Sequence, residues 1–182
     1  DKIDNDLSAV ARGPLLKTRK EIITPAEHAQ HASEVCILAV HGTAAILFNR
    51  GFFEEKIKHG CSFRVILVDP QSPALVTFGK MVDENKTPHE IEVTLEVLEK
   101  MAEKAGASGS CEVRFLPVFL PFSMFAVDLS KRTGSMIVEY HPYRLAGDQR
   151  PHLHLKTIEN PHWFEYYRQQ FEKAWNDGET WK

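Results

Sequence analysis

Two apolar runs with one helical segment between them constrain the fold of this 182-residue chain more than any other feature. The runs cover residues 35–40 and 62–69, and their continuous stretches of valine, isoleucine and leucine are typical of strands buried on both faces. The segment between them places phenylalanine and isoleucine at helical spacing and ends at Gly60. A strand, a helix and a strand in this order predict a parallel pair joined by a right-handed crossover.

The rest of the chain continues with helices and strands. A capping box that begins at Thr24 predicts a short helix to about Ser33, and another at Thr87 predicts a second helix start. A further helix lies around residues 73–83, and Asn160-Pro161 begins a long aromatic helix that Gly178 ends. Further strands are predicted at residues 112–116, 122–127, 135–140 and 151–155. The last three include a hairpin whose turn is rich in aspartate, serine and glycine.

This order of elements predicts an α/β fold, a three-layer α/β/α sandwich with a mixed sheet. We assign residues 23–182 to this single domain and residues 1–22 to a linker or an edge segment. Since the chain begins with Asp1 instead of Met, we expect it to be a piece of a longer protein.

Composition limits the functional classes. A net charge of -3 is unusual for a nucleic-acid-binding surface, so we expect no direct nucleic-acid binding by this domain. Neither a membrane-spanning run nor a signal peptide is present in the sequence, so we expect no membrane partner and a cytoplasmic protein. The three cysteines show no C-x-x-C spacing and are expected to be buried thiols in a reducing compartment.

Two histidine-containing stretches are candidates for a site. His41-Gly42-Thr43 follows the first buried strand, where ligands of open α/β sheets gather, although a plain tight turn fits the residues equally well. His152 and His154 alternate on one strand and could share a metal ion, but no further ligand is fixed by spacing. Surface or hydrogen-bonded histidines explain the second pattern better, so we expect neither a metal ion nor a cofactor.

The hairpin and its flanks resemble one repeat of the phospholipase D-like superfamily. The resemblance rests on the order of three phrases, which are GCSFRVILVDPQS, FSMFAVDLSKRTGSMIVEY and RPHLHLKTIENPHWFEYYRQQFEKAWN. The resemblance covers roughly residues 34–177. Some bacterial members of this superfamily are fused to helix-turn-helix regulators. Active members use H-x-K-x4-D, then a Gly-Ser pair and an asparagine, with the histidine as the nucleophile on phosphorus.

This sequence departs from the family's catalytic pattern. Asp128 and Gly134-Ser135 match the family's aspartate and Gly-Ser pair, but the histidine and lysine positions hold Pro121 and Ser123. Ile137 takes the place of the asparagine. Since proline cannot attack phosphorus and serine carries no fixed charge, the resemblance implies the fold without the catalysis.

The leading hypothesis is therefore a non-catalytic sensing and dimerisation domain, which would be the effector part of a bacterial transcriptional regulator with an upstream DNA-binding domain. Active single-repeat members pair two copies about a shared cleft, so the resemblance implies a homodimer with symmetry-related hairpins. The remnant cleft could bind an anionic or nucleotide-like ligand. Its candidate ligand-binding residues are Ser123, Asp128, Ser135, His41 and Thr43.

A phosphodiesterase or nuclease with a displaced catalytic histidine is the alternative hypothesis. The candidate residues for it are His154, Lys156 and His141. His154-Leu-Lys156 reads H-x-K, but Pro161 stands where the aspartate of the motif should follow. We therefore expect no catalytic residues in the leading interpretation.

Overall fold

A computed structural model of the chain describes residues 16–17, 21–82, 88–105, 109–145 and 149–181. Its strands are β1 (Leu16–Lys17), β2 (Glu34–Leu38), β3 (Ser62–Val68), β4 (Ser110–Leu116), β5 (Phe122–Val127), β6 (Ser135–Tyr140), β7 (His152–Lys156) and β8 (Glu179–Thr180). Its helices are α1 (Pro25–His28), α2 (Thr43–Ile46), α3 (Arg50–Lys58), α4 (Ala74–Val82), α5 (Pro88–Glu103) and α6 (Pro161–Asp177), with a 3-10 turn at Leu47–Asn49. Most of the predicted linker at residues 1–22 and the predicted cap at Thr87 lie outside the described residues.

The strands form one eight-stranded mixed sheet in the order β1-β7-β6-β5-β2-β3-β4-β8. β2, β3 and β4 are parallel, which confirms the predicted parallel pair and the mixed α/β sheet. β5 runs antiparallel to β2 and continues through β6 and β7 as antiparallel neighbours. The direction of pairing therefore changes between β2 and β5. The strand order reverses at the same place, because β3 and β4 lie on one side of β2 while β5, β6 and β7 lie on the other, and such a switch point is where α/β sheets leave a crevice.

Each face of the sheet has its own hydrophobic core. On one face, alternate side chains of the central strands pack against α3, α4 and α5, with Phe53, Phe63 and Phe78 fully buried. On the other face, α6 packs through Phe171 and Trp175 against the neighbouring side chains of the strands. The aromatic stripe predicted for the last helix is therefore core, and it fastens that helix to the sheet.

Several predicted boundaries differ from the structure. α1 ends at His28, whereas its capping box predicted a helix to about Ser33. The segment after Gly42 is broken into α2, the 3-10 turn and α3, because Gly42 enters it with a φ of +70° and Asn49 interrupts regular helix geometry. Asn160 precedes α6 without capping it through its side chain, which accepts a hydrogen bond from the Lys156 backbone N–H instead.

The predicted hairpin has the bounds that its sequence indicates, and its turn is tightly packed. Asp128 has a φ of +49°, and its carbonyl accepts a hydrogen bond from the Lys131 N–H. A Cβ atom on Gly134 would come within 2.6 Å of the Asp128 carbonyl oxygen, so this position requires glycine. In the part of the chain that the structure describes, no helix is both long enough and apolar enough to cross a membrane.

Candidate functional site

The candidate residues of the hairpin share one face of the sheet. Ser123 lies opposite Glu139, and Glu139 lies opposite His152, while Ile137 and His154 form the next such row. Since side chains on one face recur every second residue, these rows and the one that contains Ser135 lie on the same face as the α3–α5 core. The face therefore has two ends, one near Ser123 and one near Ser135.

His141 organises the end near Ser123. Its Nε2 atom lies 3.0 Å from the Ser123 hydroxyl, and its backbone N–H donates to the Pro121 carbonyl over 3.0 Å. The ring makes an edge contact with Phe78 at 5.1 Å between centroids and is 8% exposed. Its Nδ1 atom is buried and has no hydrogen-bond partner among the described residues.

Burial also sets the charge of His141. The loss of solvent lowers the pKa of His141 to about 4, while Glu139 opposes the shift and Arg150 and His41 add to it. The ring is therefore neutral near pH 7 and can accept one hydrogen bond as well as donate one. A buried neutral imidazole with one nitrogen available is the feature of this end most suited to contacting a ligand.

His41 and Thr43 lie beside this end, at the carboxyl end of β2. The pairing of Leu38 with Met124 places that end of β2 next to the start of β5. The His41 Nδ1 atom lies 3.0 Å from the Thr43 hydroxyl, so the two candidate side chains are partners of each other. The structure thus brings together Ser123, His41 and Thr43, which the sequence proposed, with His141.

The two histidines of β7 have different partners. His152 Nε2 lies 2.8 Å from a carboxylate oxygen of Glu139, and its Nδ1 lies 2.7 Å from the Arg150 carbonyl oxygen. Arg150 also donates to Glu139 over 3.1 Å, so a buried ion cluster ties β6 to β7. His154 is directed to a different neighbour, and the two histidines do not form the pair that their spacing had suggested.

Asp128 fastens the hairpin to the start of β2. Its Oδ1 atom accepts hydrogen bonds from the Ser33 backbone N–H, the Ser33 hydroxyl and the Glu34 backbone N–H, at 2.9–3.0 Å. Burial opposes ionisation, but these bonds and the nearby Lys131 ammonium lower the pKa of Asp128 below its ordinary value. The side chain therefore has a structural role, beyond the bonds to its own turn that are usual for such an aspartate.

Ser135 lies at the opposite end, with two histidines. Its hydroxyl is hydrogen bonded to Nε2 of His28, the last residue of α1. The His28 ring meets the rings of His154 and Phe125, each at 5.5 Å between centroids. Lys156, on the same face, is paired with Glu159 at 2.6 Å. His28 was not a candidate in the sequence, because it lies in a four-residue helix 107 positions away from Ser135.

The described residues do not form a conventional metal-binding site. Within the described ranges, no three or more histidine, cysteine, aspartate or glutamate side chains are grouped so that they could hold one. Cys36 and Cys61 are buried free thiols, as the sequence indicated, and Cys111 is half-buried. Burial raises the pKa of all three thiols, which makes them poor ligands and poor nucleophiles at neutral pH.

Comparison with known proteins does not identify a family for this chain. No protein-family model matches the chain, and no curated protein sequence matches it. Among solved structures, the chain is similar to TrmBL2, described as an archaeal chromatin protein with a novel mode of DNA binding. The match has a TM-score of 0.48 and 10% sequence identity, and it covers 99% of this chain and 62% of TrmBL2.

The similarity to TrmBL2 bears on one expectation from the sequence, that of no direct nucleic-acid binding. The expectation of no direct nucleic-acid binding is contradicted, since the similar structure belongs to a protein that binds DNA, and we withdraw it. The chain also spans less than two thirds of that protein. At a TM-score of 0.48, the similarity does not assign DNA binding to the present chain.

Proposed function

We propose that this chain is a non-catalytic domain of the phospholipase D-like class, a three-layer α/β/α sandwich that senses a small ligand and dimerises. In this proposal residues 23–182 form the domain. It serves as the effector part of a bacterial, cytoplasmic transcriptional regulator that carries a separate DNA-binding domain upstream. The two hydrophobic cores, one under α3–α5 and one under α6, support the layered architecture.

One observation carries the non-catalytic assignment: the contacts of His141 with Pro121 and Ser123. The family's nucleophile position holds Pro121, whose carbonyl accepts the His141 N–H, and the lysine position holds Ser123, whose hydroxyl lies beside the His141 ring. Pro121 supplies no nucleophile on phosphorus, and Ser123 supplies no fixed positive charge for a phosphate oxygen. The place of the catalytic pair is thus filled by a neutral hydrogen-bonded cluster.

The ligand contacts in this proposal are Ser123, His41 and Thr43, with His141 added. They lie at the end of β2 where the sheet changes its pairing direction, the usual position of ligands in open α/β sheets. Nδ1 of His141 has no hydrogen-bond partner among the described residues, and in the neutral ring it can donate or accept a hydrogen bond according to the tautomer. The family resemblance makes an anionic or nucleotide-like small molecule the first class to test. We assign Asp128 to the fold, and Ser135 to the separate cluster at the other end.

A ligand screen tests the sensing function. Purified protein is heated with nucleotides, sugar phosphates and inorganic phosphate, and we expect one class to raise the melting temperature in a concentration-dependent manner. Ser123→Ala and His41→Ala should weaken that response, while Thr77→Ala, on the exposed face of α4, should keep it. A response that survives both site substitutions places the ligand elsewhere and contradicts the proposed contacts.

One geometric feature favours the alternative, a phosphodiesterase or nuclease. A serine hydroxyl 3.0 Å from an imidazole, as in Ser123 and His141, is the arrangement of an activated nucleophile. We expect no hydrolysis of bis(p-nitrophenyl) phosphate above that of the His141→Ala and His154→Ala variants. Hydrolysis that disappears with either histidine would establish the enzyme and overturn the sensing domain.

A further inference from the structure

His28, the last residue of α1, connects this short helix to the sheet. Among the four residues of α1, all of which the structure describes, none is buried. The His28 ring lies against the rings of His154 and Phe125, each at 5.5 Å between centroids, and its Nε2 atom is hydrogen bonded to the Ser135 hydroxyl. We propose that His28 and His154 form an acid-sensitive latch, in which protonation of the rings releases α1 from the sheet while the rest of the fold remains intact.

The latch depends on the closeness of two groups that can each gain a positive charge. With ring centres 5.5 Å apart, two imidazolium ions repel each other, and half-buried surroundings screen this repulsion less than bulk water does. Lys17 of β1 and Lys156 of β7 already place positive charge beside His154, and the negative charge that acts on it comes from Glu159. Release of α1 separates the His28 ring from this group of charges.

The hydrogen bonding of His28 also favours a neutral ring while α1 is attached. Its Nδ1 atom is buried and has no hydrogen-bond partner in the described part of the chain, whereas its Nε2 is bonded to Ser135. A neutral ring can leave Nδ1 unprotonated, but an imidazolium carries a proton on both nitrogens. A buried N–H donor without an acceptor costs free energy, so protonated His28 favours the released state, in which water reaches the ring.

The pKa values of the two rings have the direction that the latch requires. Burial and the neighbouring His154 lower the pKa of His28 from 6.5 to about 4, and burial, Lys17 and Lys156 lower the pKa of His154. Solvent restores the ordinary pKa in the released state, so that state binds more protons between pH 6.5 and pH 4. The equilibrium constant for release therefore rises as the pH falls, by about 20-fold between pH 7 and pH 5 from His28 alone.

Two carboxylates also lie close to the latch, Glu27 on α1 and Asp128 in the hairpin turn. Hydrogen bonds from Thr24 lower the pKa of Glu27, and those from Ser33 and Glu34 lower the pKa of Asp128 against the effect of burial. Both carboxylates therefore stay charged at pH 5. Asp128 keeps the start of β2 fixed to the hairpin, so the movement is confined to the chain before Ser33.

Hydrogen exchange of the full chain, measured by NMR, tests the latch. The amide protons of His28 and Ala29 are bonded to the carbonyls of Thr24 and Pro25, and they report on α1 because a helix of four residues does not persist without tertiary contacts. We expect their protection factors to fall about 20-fold or more from pH 7 to pH 5. Low concentrations of urea should leave this protection unchanged, since release exposes little surface, while amides of β5 and β6 that exchange by global unfolding should lose protection.

Variants without the titrating rings test the assignment. We expect His28→Gln and His154→Gln each to reduce the pH dependence of the α1 protection and the double variant to abolish it, with circular dichroism to verify the fold. His162→Gln, an exposed histidine on α6, is the matched control and should keep the full dependence. Protection in wild type that does not change with pH, or a fall that is equal in wild type and the double variant, would overturn the latch.

The ring resonances of the wild-type histidines provide a readout that needs no substitution. The His28 resonance should titrate together with the loss of α1 protection, whereas titration near pH 6.5 with α1 still protected would contradict the latch. The sensing function is tested by ligands at His41 and Ser123, so either proposal can fail without the other.

Discussion

At the scale of residues, burial favours the neutral form of three histidines on the sheet face, His28, His141 and His154, more than it does for surface histidines. Burial lowers the pKa of His28 and of His141 to about 4, and it also lowers the pKa of His154, to which Lys17 and Lys156 contribute. A folded-state pKa below the unfolded value means that the unfolded chain binds more protons in between. Acidification therefore favours unfolding.

His141 gives the clearest pH prediction. Its folded pKa of about 4 is below the ordinary histidine value of 6.5, so its contribution to stability is complete above pH 6.5 and is lost as the pH falls towards 4. The loss amounts to about 3 kcal/mol in the free energy of unfolding. In urea titrations at neutral and at acidic pH, we expect the free energy of unfolding of His141→Gln to fall less between the two pH values than that of wild type.

The control for this measurement is His162→Gln, since His162 is exposed on α6 and should leave the wild-type pH dependence intact. Glu139, Arg150 and His41 act on the same ring, so the comparison uses the difference between pH values instead of stability at one pH. An identical acid loss in wild type and His141→Gln would show that His141 is not the group that titrates.

Asp128 leads to a second residue-scale prediction. Asp128→Ala removes an acceptor for three donors of Ser33 and Glu34, and it places alanine at a φ of +49°. We expect a loss of about 2–4 kcal/mol in unfolding free energy by chemical denaturation. Asp128→Asn keeps an oxygen acceptor and tolerates positive φ, so it should lose clearly less. Equal losses for the two variants would contradict a hydrogen-bonding role.

At the scale of elements, Arg64 attaches α6 to β3. Its guanidinium donates two parallel hydrogen bonds to Glu172 and a third to Glu34, all at 3.0 Å. The same group lies 5.0 Å from the centroid of Phe171, which adds a cation–π contact. A charged side chain of β3 therefore holds the helix that covers one face of the sheet.

We expect Arg64→Ala to reduce the free energy of unfolding by about 2–4 kcal/mol, because Glu34 would remain partly buried without its partner. Arg64→Lys should recover only part of the loss, since an ammonium cannot make the two parallel bonds. Arg168→Ala is the matched control: it breaks an exposed pair with Glu165 on the same helix and should cost less than about 0.5 kcal/mol. Similar losses of unfolding free energy for Arg64→Ala and Arg168→Ala would contradict the role of Arg64 in attaching α6 to β3.

The elements differ in how far sequence could predict them. The hairpin strands Phe122–Val127 and Ser135–Tyr140 have the predicted bounds because β-branched runs and a polar turn are local signals. β1 and β8 were not predicted, since two residues form no periodic pattern. The position of β5 next to β2 depends on pairing between distant segments, which local patterns do not encode.

The candidate site was predictable only in part, for the same reason. His41 and Thr43 were proposed from their position at the end of a strand and Ser123 from the family resemblance, and the fold brings them to one end of the sheet face. Contact of His28 with Ser135 depends on how α1 packs against the sheet. Neither residue belongs to a sequence motif that predicts this contact. Residue type and spacing can nominate a side chain, whereas its partner across the sheet is fixed by tertiary packing.

At the scale of the whole molecule, an apolar edge lies at the carboxyl ends of the parallel strands. Residues 116–122, which read LPVFLPF, connect β4 to β5, and Pro117, Val118 and Pro121 are exposed within it. The segment borders a shallow apolar depression that includes Leu38 and Ile66. Exposed apolar surface of this kind commonly marks an interaction site. The edge lies beside the Ser123 end of the proposed sensing site, so it is the surface at which we test the proposed homodimer.

Substitution of Val118 tests the dimer at this edge. Val118 is 53% exposed, so Val118→Asp should leave the free energy of unfolding of the monomer within about 0.5 kcal/mol of wild type while it places charge in the interface. Light scattering coupled to size-exclusion chromatography should give twice the chain mass for wild type and the chain mass for Val118→Asp. Val76→Asp, a 59% exposed valine on α4, is the matched control and should remain dimeric. A monomeric wild type contradicts the dimer, a dimeric Val118→Asp moves the interface elsewhere, and dissociation by both substitutions shows that added charge acts without regard to this edge.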